Sequence, residues 1–216
     1  MVRYSIQRPT PKDASSTEGT ALMSTLLALD VAILPPVDVG ERAVRLSAAL
    51  PADQSQGLRL DADRLPHITL TQQFVRTDEL DAIFTRLDDV LHDRAPMPLH
   101  VTGGGRGASS VWMAVERTAA ISQLHARLMD ALHGFERPGG GAAAFVEGDA
   151  RDGDVAWVTG YRQRSSFGAY TPHITLGHAA ELPRLDPFTF EATTVAACHL
   201  GRFCTCRQIL RSWELR

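Results

Sequence analysis

Lysine is almost missing from this 216-residue sequence: Lys12 is the only one, and arginine supplies the rest of the 22 basic residues. With 25 acidic residues the net charge is −3. The chain lacks the excess of positive charge that holds a long nucleic acid without regard to sequence. A small anionic substrate, held by a few local groups, remains compatible. Cysteine is scarce as well. Cys198, Cys204 and Cys206 are too few for a disulfide framework in a chain this long, which fits a reducing, cytoplasmic setting. No apolar run reaches the roughly 18 residues of a membrane-spanning helix. The nearest, residues 21–34, is interrupted by Ser24 and Asp30 and lacks the basic flank and cleavage site of a secretory signal. Hydrophobic residues make up 44% and charged residues 22%, ordinary for a folded protein, so a mainly disordered chain is excluded. The length allows one domain, or two small halves packed closely together.

Residues 1–20 mix Pro, Ser, Thr and charge without apolar periodicity and are expected to form a disordered tail. Residues 21–216 are expected to form a single domain with halves near 21–95 and 96–216. Residues 25–34 read as a strand stopped by Pro35 and Pro36, and residues 37–50 carry helical spacing. A second helix is expected from an Asp78 cap to about His92, and a third over residues 118–132, closed by Gly134. Residues 98–102 and 111–116 read as strands joined at the turn Gly103-Gly104-Gly105. The Gly/Ala-rich residues 134–153 can contribute little to a core and are expected to be a surface loop or a lid.

One grammar occurs twice: a strand, a helix, a loop, then Pro-His-Ile-Thr-Leu. The copies place His67 and His173 106 residues apart, whereas the acids that close the preceding strands, Asp30 and Glu116, stand 86 apart. The difference of 20 residues matches an insertion at residues 134–153, so the chain reads as a duplication. In a strand, side chains alternate between faces. His67 and Thr69 therefore point opposite to Ile68 and Leu70, and His173 and Thr175 opposite to Ile174 and Leu176. If the halves face each other, two imidazoles and two hydroxyls meet in one cleft. One imidazole can accept a proton while the other donates one, and hydroxyls can hold nonbridging phosphate oxygens. Phosphoester hydrolysis needs such a set, and it needs no metal.

His67-Ile68-Thr69-Leu70 and His173-Ile174-Thr175-Leu176 resemble the paired signature of the two-histidine phosphoesterase superfamily, which includes 2'-5' RNA ligases and 2',3'-cyclic phosphodiesterases. The order of elements is similar from about Thr25 to Trp213. The resemblance implies an α+β, bilobed fold with two antiparallel sheets flanking a central cleft and helices outside. It implies His67 and His173 as the acid–base pair, either of which could be the base, and Thr69 and Thr175 as phosphate-binding hydroxyls. It further implies a nucleotide or RNA end bearing a cyclic phosphate as substrate, no cofactor, and joining to a 2'-5' linkage as the reverse reaction. A monomer with no obligate protein or membrane partner is expected. Gly177-His178 stands where ligase-like members commonly carry an arginine, which weakens the expectation for polymeric RNA ends.

Other residues carry weaker signals. Tyr170 and Phe74 could stack on a base, although core packing is the better reading for Phe74. Alternation puts Thr71 and Gln73 on the His67 face, making Gln73 a substrate-contact candidate. Arg76, Arg106, Arg162 and Arg164 are the cleft-side cation candidates. His92, His125 and His133 read as surface residues on helices. The cysteines and His199 have the wrong spacing for a zinc knuckle and read as small strand residues. Two rival functions stand beside the enzyme: a binding module using the same cleft without turnover, and a metal-binding regulator built on His178, His199 and the cysteines.

Overall fold

The computed structural model describes residues 25–216, and the tail expected over residues 1–20 lies outside the described residues. The chain opens with strand β1 (Leu26–Leu34), helix α1 (Val37–Ala49) and strand β2 (Ile68–Arg76), followed by α2 (Leu80–Leu91). Strands β3 (Met97–Arg106) and β4 (Ser110–Val115) lead into α3 (Ala119–Leu132), and two short helices follow, α4 (Asp152–Thr159) and α5 (Tyr161–Ser165). The last four elements are strands β5 (His173–His178), β6 (Phe188–Ala192), β7 (Thr194–Gly201) and β8 (Thr205–Glu214). They build two four-stranded antiparallel sheets, ordered β2-β1-β7-β8 and β5-β4-β3-β6. The fold is α+β, as expected. No helix among the described residues is long and apolar enough to cross a membrane.

The duplication is visible in the strand pairing. Val31 pairs with Thr71 and Ala32 with Thr69, so Leu70 is the extra residue of a β-bulge. In the other sheet Val111 pairs with Gly177 and Trp112 with Thr175, which makes Leu176 the extra residue of a matching bulge. Val31 and Val111 are thus equivalent and 80 residues apart, so the structural counterpart of Asp30 is Ser110, not Glu116. The two sheets also cut across the sequence halves, because β7 and β8 return to the sheet of β1 and β2.

One continuous apolar core runs between the sheets and the helices. It joins Leu29, Val31, Ile68 and Leu70 of the first sheet with Val111, Met113, Ile174 and Leu176 of the second, and takes Val39 and Ala43 from α1. Ile83 and Leu87 of α2 and Ile121, Leu124 and Leu128 of α3 complete it. These are the positions that helical periodicity marks in the sequence.

Several boundaries differ from the sequence reading. Asp78 does not cap α2. It pairs with Arg76, and a 3-10 turn over Thr77–Glu79 precedes the helix. Thr118 does cap α3, accepting the Ile121 N–H. The helix then runs into a 3-10 turn, His133–Phe135, rather than ending at Gly134. The three glycines 103–105 lie within strand β3 and do not make a turn. At Gly105 a Cβ would lie 2.1 Å from Trp112 Nε1, so this glycine makes room for the indole. The Gly/Ala-rich stretch is not coreless either. Ala144 and Phe145 are buried in a second cluster with Ala28, Phe74, Ala196 and Cys206, and Phe145 meets Phe74 edge-on.

Candidate active site

Each histidine follows a proline and begins, or immediately precedes, a strand at the inner edge of its sheet. His67 Nδ1 lies 2.8 Å from the Leu65 carbonyl, and His173 Nδ1 lies 2.7 Å from the Thr171 carbonyl. A carbonyl only accepts, so in both rings Nδ1 carries a hydrogen. Nε2 of each neutral ring is then the free lone pair. The same two-residue step back to a carbonyl fixes both rings in the same tautomer. His67, Thr69, His173 and Thr175 all line one cleft of about 760 Å³, together with Gln72, Trp112, Tyr170 and His178.

The two halves differ in what surrounds each ring. His67 Nε2 is 3.8 Å from Asp30 Oδ2, and Asp30 is fully buried. The same carboxylate oxygen accepts the Thr69 hydroxyl at 2.9 Å and the Gln72 amide at 2.7 Å. Burial pushes the Asp30 carboxyl up from the usual range, against the opposing pull of His67 and these two donors. Across the cleft the counterpart Ser110 brings no charge, and His173 lies against Trp112 with ring centroids 5.0 Å apart. Desolvation lowers the His173 pKa, with a smaller push in the same direction from His67.

The bulge at Leu70 decides which glutamine reaches the site. A bulge puts an extra residue into the alternation, so Gln72 returns to the face of Thr69, and its amide lies 3.4 Å from the Thr69 hydroxyl. Gln73 turns away and lines a separate pocket of about 320 Å³ beside Phe74 and Arg162. Tyr170 lines the cleft but is buried, and its hydroxyl donates to the Thr69 carbonyl at 3.0 Å. It stacks on His125 at 3.9 Å between centroids and 1° between planes. His125 is not a surface residue. It is buried on α3, with Nδ1 2.6 Å from the Leu70 carbonyl and Nε2 accepting the Phe167 N–H at 2.8 Å. Burial lowers its pKa, in keeping with a neutral ring that donates once and accepts once. His92 and His133 are exposed, as expected. Phe74 is buried in the second apolar cluster.

Of the four cation candidates only Arg164 lines the cleft, and its guanidinium is bonded to the Ala156 carbonyl. Arg76 pairs with Asp78, Arg106 donates to the Ala180 carbonyl, and Arg162 pairs with Glu136. The cleft also takes Arg151, from the Gly/Ala-rich stretch expected to be a surface loop or a lid. Arg151 grips the buried Asp154 and stacks its guanidinium 3.8 Å from the Phe203 ring. Asp154 also accepts the Phe203 N–H and so holds the 202–204 turn, where Phe203 and Cys204 both have positive φ. His178 lines the cleft beside this turn, 3.0 Å from the Ser109 hydroxyl, and desolvation followed by Arg151 lowers its pKa. His199 lies elsewhere, bonded to the Ala144 carbonyl, so it does not join His178 in a metal cluster.

Comparison with known proteins agrees with this architecture. The model of the 2'-5' RNA ligase superfamily matches residues 35–197. This protein therefore belongs to that superfamily of two-histidine phosphoesterases and RNA ligases. Its fold is similar to that of E. coli LigT, solved with NADP+, at a TM-score of 0.58 and 18% identity over 88% of this chain and 99% of that one. LigT solved with 3'-AMP gives 0.57 and 18% over the same shares, 88% and 99%. TT0787 of Thermus thermophilus gives 0.55 and 16%, covering 88% and 98%. No curated protein matches the sequence closely enough to count as a relative.

Proposed function

We propose that the protein hydrolyses the 2',3'-cyclic phosphate of a nucleotide or RNA end by acid–base catalysis between His173 and His67. The observation that carries this reading is the matched pair of imidazoles, each with Nδ1 committed to a carbonyl and Nε2 left for one cleft. His173, whose charged form is disfavoured by partial desolvation, is the base. His67, beside the Asp30 carboxylate, is the acid. Water attacks phosphorus while His173 Nε2 takes its proton. The bond from phosphorus to one ribose oxygen breaks, and His67 Nε2 delivers a proton to that oxygen. The product is a phosphomonoester, and solvent returns both rings to their starting states. The Thr175 hydroxyl donates to a nonbridging oxygen, and the Thr69 hydroxyl makes the second contact by rotating away from Asp30.

A 5'-hydroxyl in place of water would give a 2'-5' linkage with the same proton transfers. His178, neutral where ligase-like members carry arginine, favours a small cyclic nucleotide over a polymeric end. Nucleotide ligands such as the 3'-AMP bound by LigT support the substrate class. The test is turnover of 2',3'-cyclic nucleotides and of a short RNA ending in a cyclic phosphate, in EDTA. His67→Ala and His173→Ala should each lower the rate by about 10²–10⁴-fold. Binding without turnover would make the protein a nucleotide-binding relative, and turnover indifferent to both substitutions would refute the pair.

A further inference from the structure

Behind His67 the cleft wall holds a second group of functional atoms. Asp30, His67 and Cys206 each offer one ligand atom, a carboxylate oxygen, a ring nitrogen and a sulfur, and these atoms all lie within 4.8 Å of one another. Asp30 and Cys206 are fully buried. Main-chain bonds hold the group together: the Leu65 N–H donates to the Cys206 carbonyl at 3.0 Å, and the Leu65 carbonyl receives His67 Nδ1. Asp30 is fixed in β1, and β7 links that strand to β8, which carries Cys206.

These atoms are incompletely satisfied as they stand, although Asp30 Oδ2 accepts Thr69 and Gln72. With its hydrogen on Nδ1, His67 turns a lone pair toward a carboxylate 3.8 Å away. Asp30 Oδ1 has no hydrogen-bond partner among the described residues. Electron-rich groups buried together call for a proton or a cation between them. During turnover a proton on His67 serves. Carboxylate, imidazole and thiolate are also the ligand types of a borderline-soft divalent ion, and three protein ligands leave a fourth position open.

We propose that Asp30, His67 and Cys206 form a binding site for Zn²⁺, and that its occupation inhibits the enzyme. The ion enters from the cleft side, where His67 is the ligand that lines the opening. Cys206 binds as thiolate, and its proton passes to solvent. Coordination removes His67 Nε2 from proton transfer, so the inhibitory consequence rests on the proposed acid–base reading, while the binding itself does not. The exposed pair His92 with Asp93 offers only two groups and accounts for weak background binding.

Cobalt(II) serves as the optical probe, because a cobalt–thiolate bond gives an intense near-ultraviolet charge-transfer band. The full-length protein, first stripped with EDTA and then freed of it, should develop this band with one equivalent of Co²⁺ and lose it to one of Zn²⁺. Cys206→Ala should abolish the band and raise the Zn²⁺ dissociation constant at least about tenfold. Cys198→Ala, which removes the neighbouring buried thiol, should keep both. If the chain hydrolyses cyclic phosphates, Zn²⁺ should inhibit the wild type and the Cys198 variant but spare Cys206→Ala at the same concentration. A protein that shows the band but no hydrolysis would keep the metal site and overturn the catalytic reading. Absence of the band in the wild type, or its survival in Cys206→Ala, would overturn the site.

Discussion

A carboxyl group without solvent contact and with one oxygen lacking a partner costs stability, and among the described residues Asp30 is such a group. Its position 3.8 Å from His67 gives that cost a purpose under the proposed mechanism, in which His67 holds a proton beside it. The raised pKa of Asp30 means that the folded state binds its proton more readily than the unfolded chain. Stability is therefore lost as pH rises from the ordinary carboxylate range through the folded value. Asp30→Asn removes that slope while its amide oxygen can still receive Thr69 and Gln72. The variant should be more stable than the wild type by about 1–3 kcal/mol at neutral pH, with the gap closing in acid, as urea melts at several pH values would show. It should also turn over cyclic phosphate more slowly. His67, Thr69, His173 and Thr175 were legible in the sequence because each pair recurs in the same pentapeptide. Asp30 was visible only as the acid closing a strand, since nothing in the spacing says that it faces the first motif from 39 residues away.

At the scale of elements, the two bulges and the glycine-rich strand aim the side chains. Strict alternation assigned Gln73 to the His67 face, and one extra residue at Leu70 gave that place to Gln72. A bulge leaves no mark in the hydrophobic pattern, so this was not legible. The run Gly103-Gly104-Gly105 read as a turn because glycine is the commonest turn residue. Its use here is clearance for Trp112, whose indole packs beside His173. Gly105→Ala forces that indole to move, because the new methyl would overlap the ring itself. The expected cost is about 1–3 kcal/mol of stability. A drop in turnover should accompany it, with a change in tryptophan fluorescence reporting the displaced ring.

Across the whole molecule, the lobes are fastened to each other at the motifs. Tyr170, three residues before His173, donates its hydroxyl to the backbone of Thr69, and His125 from α3 holds the carbonyl of Leu70. A continuous core and these two buried bonds keep the rings of different sheets in register across the cleft. The architecture was legible only through the family resemblance that the two motifs carry, because the order strand, helix, loop, motif does not by itself say which strands pair. The return of β7 and β8 to the first sheet was not, since it depends on long-range pairing that no local pattern encodes.

Two imidazoles working as base and acid predict a particular pH dependence. The measurement is kcat/KM for a 2',3'-cyclic nucleotide across pH, in EDTA, for the wild type and His173→Ala. A bell is expected, because His173 must be free of its proton and His67 must hold one. Desolvation of the half-buried His173 lowers its pKa, so the ascending limb should lie below the ordinary imidazole value of about 6.5. In His173→Ala that limb should vanish along with most of the rate. A rate that only climbs with hydroxide, or an ascending limb above the ordinary imidazole value, would contradict the paired-histidine mechanism.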